Sequence, residues 1–179
     1  MTAPQTDLTE HIARPHGRDL TNEELLAVAS AIAAQPEQWS HRVHHDSQQR
    51  TYEQLLRDEY LDVWLICWSH DHDTGFHDHD LSAGAVAVAA GAVREERLVL
   101  GCPVDSPLAR TVAAGSSFEF GASDIHRVLH AAGEPAVTIH AHSPPLVRMG
   151  SYTVETDGQL RRFAVSYETE LRQLDATPS

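Results

Sequence analysis

The sequence predicts a mainly β protein, a jelly-roll barrel with a short helical segment near its N-terminus. Short apolar or alternating runs rich in Val and Ile recur between residues 60 and 167, the pattern of half-buried strands. Gly91, Gly101, Gly115, Gly121, Gly133 and the pair Asp157-Gly158 punctuate those runs at turn positions. The helical periodicity lies ahead of them, at residues 22–34. Many short strands at such spacing make a sandwich or barrel, and a jelly roll accommodates them.

Taken in order, residues 1–18 are polar and carry Pro4, Pro15 and Gly17, which predicts a loose arm. Thr21 and Glu24 form a capping-box pair, after which Leu25, Leu26, Ala29, Ile32 and Ala33 recur at helical spacing. The expected helix covers residues 22–34 and stops before Pro36. Strand-like runs follow at 60–68, 83–90, 94–100, 109–113, 116–120, 127–129, 136–142, 148–155 and 160–167. Asp157-Gly158 between the last two is the clearest hairpin signal. The chain therefore divides into an arm (1–18), one domain (19–168) and a polar tail (169–179).

A formal charge of −13 disfavours nucleic acid and anionic membranes as partners, because both reward Lys and Arg. Of two cysteines, Cys67 lies in an apolar run and Cys102 in a Gly-Cys-Pro loop. That is no disulfide framework, and it fits a reducing cytoplasm. No basic segment followed by an apolar core opens the sequence, and no run reaches membrane-spanning length. With no heptad pattern either, a monomer is the expected state.

The chemistry centres on Phe76-His77-Asp78-His79. Histidines at i and i+2 of an extended strand project to one side, delivering two imidazoles to one point, as a first-row metal requires. Gly84 and Gly91 follow at intervals that resemble the first metal motif of the cupin superfamily. Cupins usually carry a liganding Glu where this chain has Gly84. A second, partial match runs from Gly115 through Gly121 to His126, which offers a third imidazole; His130 beyond it reads as a structural neighbour. Three neutral imidazoles leave a divalent ion its full double charge and open positions for an anion such as a thiolate.

Further residues sharpen the resemblance. Leu65-Ile66-Cys67-Trp68, the His77/His79 motif, Asp124-Ile125-His126-Arg127-Val128 and the stretch from Ala136 to Pro145 ending in His-Ser-Pro-Pro together resemble the cysteine dioxygenase family of thiol dioxygenases. The resemblance runs from about residue 50 to 155. It implies a cupin-type jelly roll, Fe(II), a small thiol or thione and dioxygen as reactants, and a sulfinate product. It also implies His77, His79 and His126 as metal ligands. The family's Ser-His-Tyr relay falls on Thr138, His140 and His142, which alternation puts on one face of a strand.

Three departures bear on the substrate. The relay Tyr is His142, and the Cys that animal members crosslink to it is absent. The family's carboxylate-binding Arg aligns with Gln54, two residues after Tyr52. A neutral amide cannot clamp a carboxylate as a guanidinium does, so 3-mercaptopropionate or a bulkier thione such as ergothioneine competes with cysteine. Arg50, Arg57 and Arg127 remain to meet a carboxylate, and Ala85, Ala87 and Ala89 suggest a wider pocket. The alternatives are a non-oxidative metal-dependent cupin enzyme (an isomerase or hydrolase) and a non-catalytic cupin sensor.

Overall fold

The structure, a computed structural model, describes residues 12–99, 104, 106–155 and 159–166. In chain order its elements are α1 (Asn22–Ala33), β1 (Thr51–Arg57), β2 (Asp62–Trp68), β3 (His77–Asp78), β4 (Ala83–Ala90), β5 (Ala92–Arg97), β6 (Leu108–Ala113), β7 (Ser117–Phe120), β8 (His126–His130), β9 (Ala136–Ser143), β10 (Arg148–Val154) and β11 (Leu160–Ser166), with short 3-10 turns at Pro36–Gln38 and Ser40–Arg42. The strands form two sheets, ordered β1-β2-β9-β4-β7 and β11-β10-β3-β8-β5-β6. These are the two halves of a jelly-roll barrel, as expected from the sequence.

Strand β9 shows how sequence divides the interior. All of its residues are buried, because both of its faces are covered. Val137, Ile139 and Ala141 face outward, where they pack with Leu25, Val28 and Ile32 of α1. Thr138, His140 and His142 alternate with them and face the barrel interior, opposite Ile66, Trp64 and Asp62 of β2. The inner apolar cluster includes Trp64, Ile66, Trp68, Val86, Phe118 and Phe120. Each fully buried Leu, Ile or Val contributes roughly 1.5–3 kcal/mol.

Helix α1 begins where the capping box predicts. The Thr21 hydroxyl accepts from Glu24 N, and the Glu24 carboxylate accepts from Thr21 N at 2.8 Å. Ser143, in the His-Ser-Pro-Pro stretch, ties the chain just ahead of this helix onto the barrel. Its Oγ accepts from Leu20 N at 2.8 Å and donates to Tyr60 O at 2.6 Å. Upstream, Ile12 joins the outer core and Arg14 pairs with Asp58 at 2.7 Å, while His16, Gly17 and Arg18 are exposed.

Strand β1 differs from the sequence expectation, which places no strand there. Its register slips between Gln54 and Leu56, so Leu55 and Leu56 are both buried and the two-residue period that marks a strand is broken. The alanines also differ from expectation: Ala85 and Ala87 pack in the outer core under α1 and Ala89 lies against that core, so they do not widen the interior cavity. β10 and β11 pair antiparallel up to Val154 and Leu160; Asp157-Gly158, Cys102 and the 169–179 tail lie outside the described residues. No described helix is long and apolar enough to cross a membrane.

Replacing Ser143 by Ala strands a buried N–H and a carbonyl at once. Denaturant unfolding of the metal-free protein should show a loss of about 1–3 kcal/mol; unchanged stability would mean that the helix docks without this tie.

Candidate metal centre

The two-residue strand β3 lies between β10 and β8, and its register sets His77 directly opposite His126. His79 follows immediately past the strand, its backbone N–H donating to Ala122 O at 3.3 Å. The three rings converge, with centroids 4.8 Å (His77–His79), 4.7 Å (His77–His126) and 5.2 Å (His79–His126) apart. One nitrogen from each lies within 4.8 Å of the others, and all three side chains are buried. Asp78, between the two histidines, points the opposite way, as strand alternation requires. There it accepts from Arg162 Nε at 2.7 Å, Tyr152 Oη at 2.6 Å and Gly150 N at 3.1 Å. Burial alone would raise the Asp78 pKa, but the bonds from Arg162 and Tyr152 outweigh it and hold the carboxylate well below its usual range. This clamp pins β3 to β10 and β11.

Two of the imidazoles are held so that a nitrogen remains for a ligand. His77 Nδ1 lies 3.1 Å from Gly75 O, and His126 Nδ1 lies 3.2 Å from Glu95 Oε1. Both partners can only accept, so both Nδ1 atoms carry the proton and both Nε2 atoms carry a lone pair. His126 Nε2 and His79 Nδ1 are buried without a partner, a state that costs about 1–3 kcal/mol per group. Burial, and then the neighbouring imidazoles, push His77 and His79 well below the ordinary histidine pKa, and burial lowers His126 too. Neutral, converging and unsatisfied, this donor set fits a divalent transition metal.

Gly84 explains why no carboxylate joins them. It opposes Phe120 and His142 across its two neighbouring strands. A Cβ at this position would overlap the Phe120 ring and touch His142 Cδ2 at 3.0 Å. Phe120 uses that space to stack on His79, centroids 4.3 Å apart at 22°. An aromatic ring therefore stands where a cupin's liganding Glu would begin.

The three histidines open onto a cavity of about 50 Å³, also lined by Arg50, Ile66, Thr74, Val128, His140, His142, Leu146 and Met149. Trp68, Thr138 and His140 form a chain beside it. The Trp68 indole N–H can only donate, and it reaches Thr138 Oγ1 at 2.8 Å. The Thr138 hydroxyl then has one hydrogen to give: His140 Nε2 is 2.8 Å away and Ile66 O is 3.5 Å away. His142 is buried, its Nδ1 has no protein partner, and burial next to His126 pushes its pKa down to about 3.

The other sequence candidates separate. Arg50 lines the cavity and lies 5.5 Å from the Trp68 ring centroid. Tyr52 meets Trp64 edge-on. Gln54 is exposed and donates to Asp62 Oδ1 at 3.0 Å, outside the cavity lining. Arg57 is bound to Asp62 at 2.7 Å, and Arg127 to Asp73. His130 Nε2 contacts Glu134 O at 3.0 Å, away from the metal cluster. Sequence reasoning missed Phe120, Trp68 and Glu95. Glu95 had a signal, since it shares the inward parity of Val93 on an alternating strand. Burial raises its pKa, but bonds from His126 and Arg97 outweigh this and hold it down to about 2.

A jelly-roll barrel enclosing three converging imidazoles defines a metal-dependent cupin. More narrowly, the family model described as cysteine dioxygenase type I matches residues 5–155, and the chain belongs to that family. It is 24% identical over 140 residues to cysteine dioxygenase type 1 of Bos taurus, covering 72% of this chain and 68% of the bovine protein. The Mus musculus enzyme is 25% identical over 142 residues, at the same coverage. Among solved structures, a Thermus thermophilus protein designated TT1209 superposes with a TM-score of 0.51 at 14% identity, over 59% of this chain and 92% of that one. A cupin 2 conserved barrel domain protein from Leptotrichia buccalis gives 0.50 at 14%, over 59% and 46%. These likenesses show the fold.

A Gly84→Ala substitution should overpack the centre and cost about 1–3 kcal/mol in unfolding of the metal-free protein; a neutral result would mean that Phe120 moves freely. The buried histidines also set a pH dependence. Their folded pKa values lie below the unfolded value of ~6.5, so between the two the unfolded chain binds more protons and stability falls as pH falls. Metal-free protein should therefore be less stable at about pH 5.5 than at about pH 7.5, by about 1 kcal/mol per such imidazole. Equal denaturation midpoints would contradict the neutral, buried assignment.

Proposed function

We propose that this protein is a mononuclear non-haem iron(II) thiol dioxygenase whose substrate is a small thiol bearing a carboxylate, of the 3-mercaptopropionate class. The reaction is R–SH + O2 → R–SO2H, with sulfur oxidised by four electrons and dioxygen reduced by the same number. The observation that carries the reading is the convergence of three buried imidazoles on a cavity that also holds Arg50. Family membership supports the reaction class. Iron held by His77, His79 and His126 would supply open positions for thiolate and dioxygen and the redox chemistry that joins them.

The chain's own residues account for binding and protons. Arg50 carries a permanent charge and supplies the cation that the aligned Gln54 does not. A cavity of about 50 Å³ favours a small thiol over a bulky betaine, given that one water needs roughly 10–15 Å³. Ile66, Leu146 and Met149 give the cavity apolar walls, which exclude water and strengthen the charge contacts inside. His142, with a pKa of about 3, is too weak a base to hold a proton taken from a thiol of pKa ~8.5. It acts instead as a neutral hydrogen-bonding group where the family has a phenol. Thr138, itself bonded to Trp68, holds the His140 ring in place beside it.

The test is oxygen uptake by anaerobically iron-loaded protein offered 3-mercaptopropionate, cysteine, cysteamine and ergothioneine, with mass analysis of products. The expected product gains both atoms of O2, and 3-mercaptopropionate outpaces cysteamine, which lacks the carboxylate. Arg50→Gln should remove that preference chiefly through KM, and His77→Ala should lose iron and uptake together. Full turnover by iron-free His77→Ala protein would overturn the proposal, and uptake with none of the thiols would favour a non-oxidative cupin.

A further inference from the structure

We infer that Glu95 is a positioning residue for the metal centre, its carboxylate holding the far nitrogen of His126 so that Nε2 faces the metal. The carboxylate that cupins place on the metal thus stands one imidazole further out. The inference rests on the reading of His126 as a ligand, and it is independent of the substrate and of turnover.

The register builds the contact. On β5, Glu95 opposes Val128 and Arg97 opposes His126, so Glu95 is the diagonal neighbour of His126 on the same inward face. Its Oε1 lies 3.2 Å from His126 Nδ1, with the two side chains only 3% and 2% exposed. Oε1 also accepts from Arg97 at 2.9 Å, and Oε2 accepts from Arg110 Nε at 2.6 Å. Arg97 is itself fixed by Asp124 at 3.1 Å and by Glu119 O at 2.8 Å. The carboxylate is therefore pinned in position and kept ionised.

A buried carboxylate paired with arginines is seldom more stabilising than well-packed apolar side chains. Its distinctive effect is on the imidazole. An anionic acceptor at Nδ1 selects one tautomer, fixes the ring plane and makes Nε2 a stronger donor to the metal. His77, by contrast, meets a neutral carbonyl, so the charged support is concentrated on His126. The two arginines connect this support to the surface, where with Glu95, Leu108 and Ala109 they line an open groove of about 250 Å³.

The experiment is Co(II) titration of wild type, Glu95→Gln and His126→Ala, reading affinity and the visible d–d absorption without any thiol. Glu95→Gln keeps the size of the side chain and removes its charge; it should weaken Co(II) binding about tenfold or more and shift the absorption bands. Wild-type affinity and bands in Glu95→Gln, with binding lost in His126→Ala, would overturn the role of Glu95 alone. Wild-type binding by His126→Ala would overturn the ligand reading beneath it. If Glu95→Gln does not fold, nitrogen NMR of Zn(II)-loaded wild type decides. A protonated Nδ1 and a metal-bound Nε2 on His126 support the inference, and the reverse arrangement overturns it.

Discussion

Opposed across the antiparallel pairing of β3 and β8, His77 and His126 bring two imidazoles together inside the barrel, and the rest of the site is arranged around that pair. A strand of only two residues cannot hold such a register alone, because it makes few ladder bonds. The Asp78 clamp supplies the missing restraint. Its bonds to Arg162, Tyr152 and Gly150 fasten the outward side of β3 to two further strands. Gly150 is what permits this approach, since a Cβ there would collide with both Arg162 and Asp78. A shift of β3 by one residue would exchange the clamp for the ligands and dismantle both.

The second constraint is space. Around five buried neutral histidines, an apolar side chain fills space without adding another group that needs a hydrogen bond. Phe120 does this, stacking on His79 and lying 4.5 Å from the His126 centroid. Its ring is accommodated because residue 84 lacks a side chain. The missing carboxylate and the aromatic packing are thus one structural choice, made jointly by Gly84 on β4 and Phe120 on β7. Restoring a cupin-like Glu at position 84 would require displacing that ring first.

Much of this was legible in the sequence where chemistry and periodicity coincide. The His77/His79 pair, His126, the capping box of α1 and the inward parity of 138, 140 and 142 all follow from local spacing, and the structure places each accordingly. What was not legible depends on pairing. The bulge in β1 merges Leu55 and Leu56 into one apolar step, so a real strand lost its period. Gln54 lies on a matching alignment position, yet the fold points its amide at Asp62. The alanines of β4 suit a pocket by size alone, but their outward parity puts them under the helix. Glu95 and His126 are far apart in sequence, and only the β5–β8 register makes them neighbours.

Charge ties these elements to the proposed chemistry. The chain as a whole is strongly acidic, which should repel an anionic substrate at long range. Locally the balance reverses. Among the described residues lining the cavity there is an arginine and there are five histidines, but no carboxylate. The nearby acids are committed elsewhere: Asp78 to Arg162 and Tyr152, Glu95 to Arg97 and Arg110. A divalent ion among neutral imidazoles would therefore keep its charge uncompensated in a medium of low dielectric, where the attraction for an anion is strongest. Under the proposed reading a thiolate would answer that demand at the metal and a carboxylate would answer it at Arg50, so a small mercapto acid would suit this centre better than a neutral or cationic thiol.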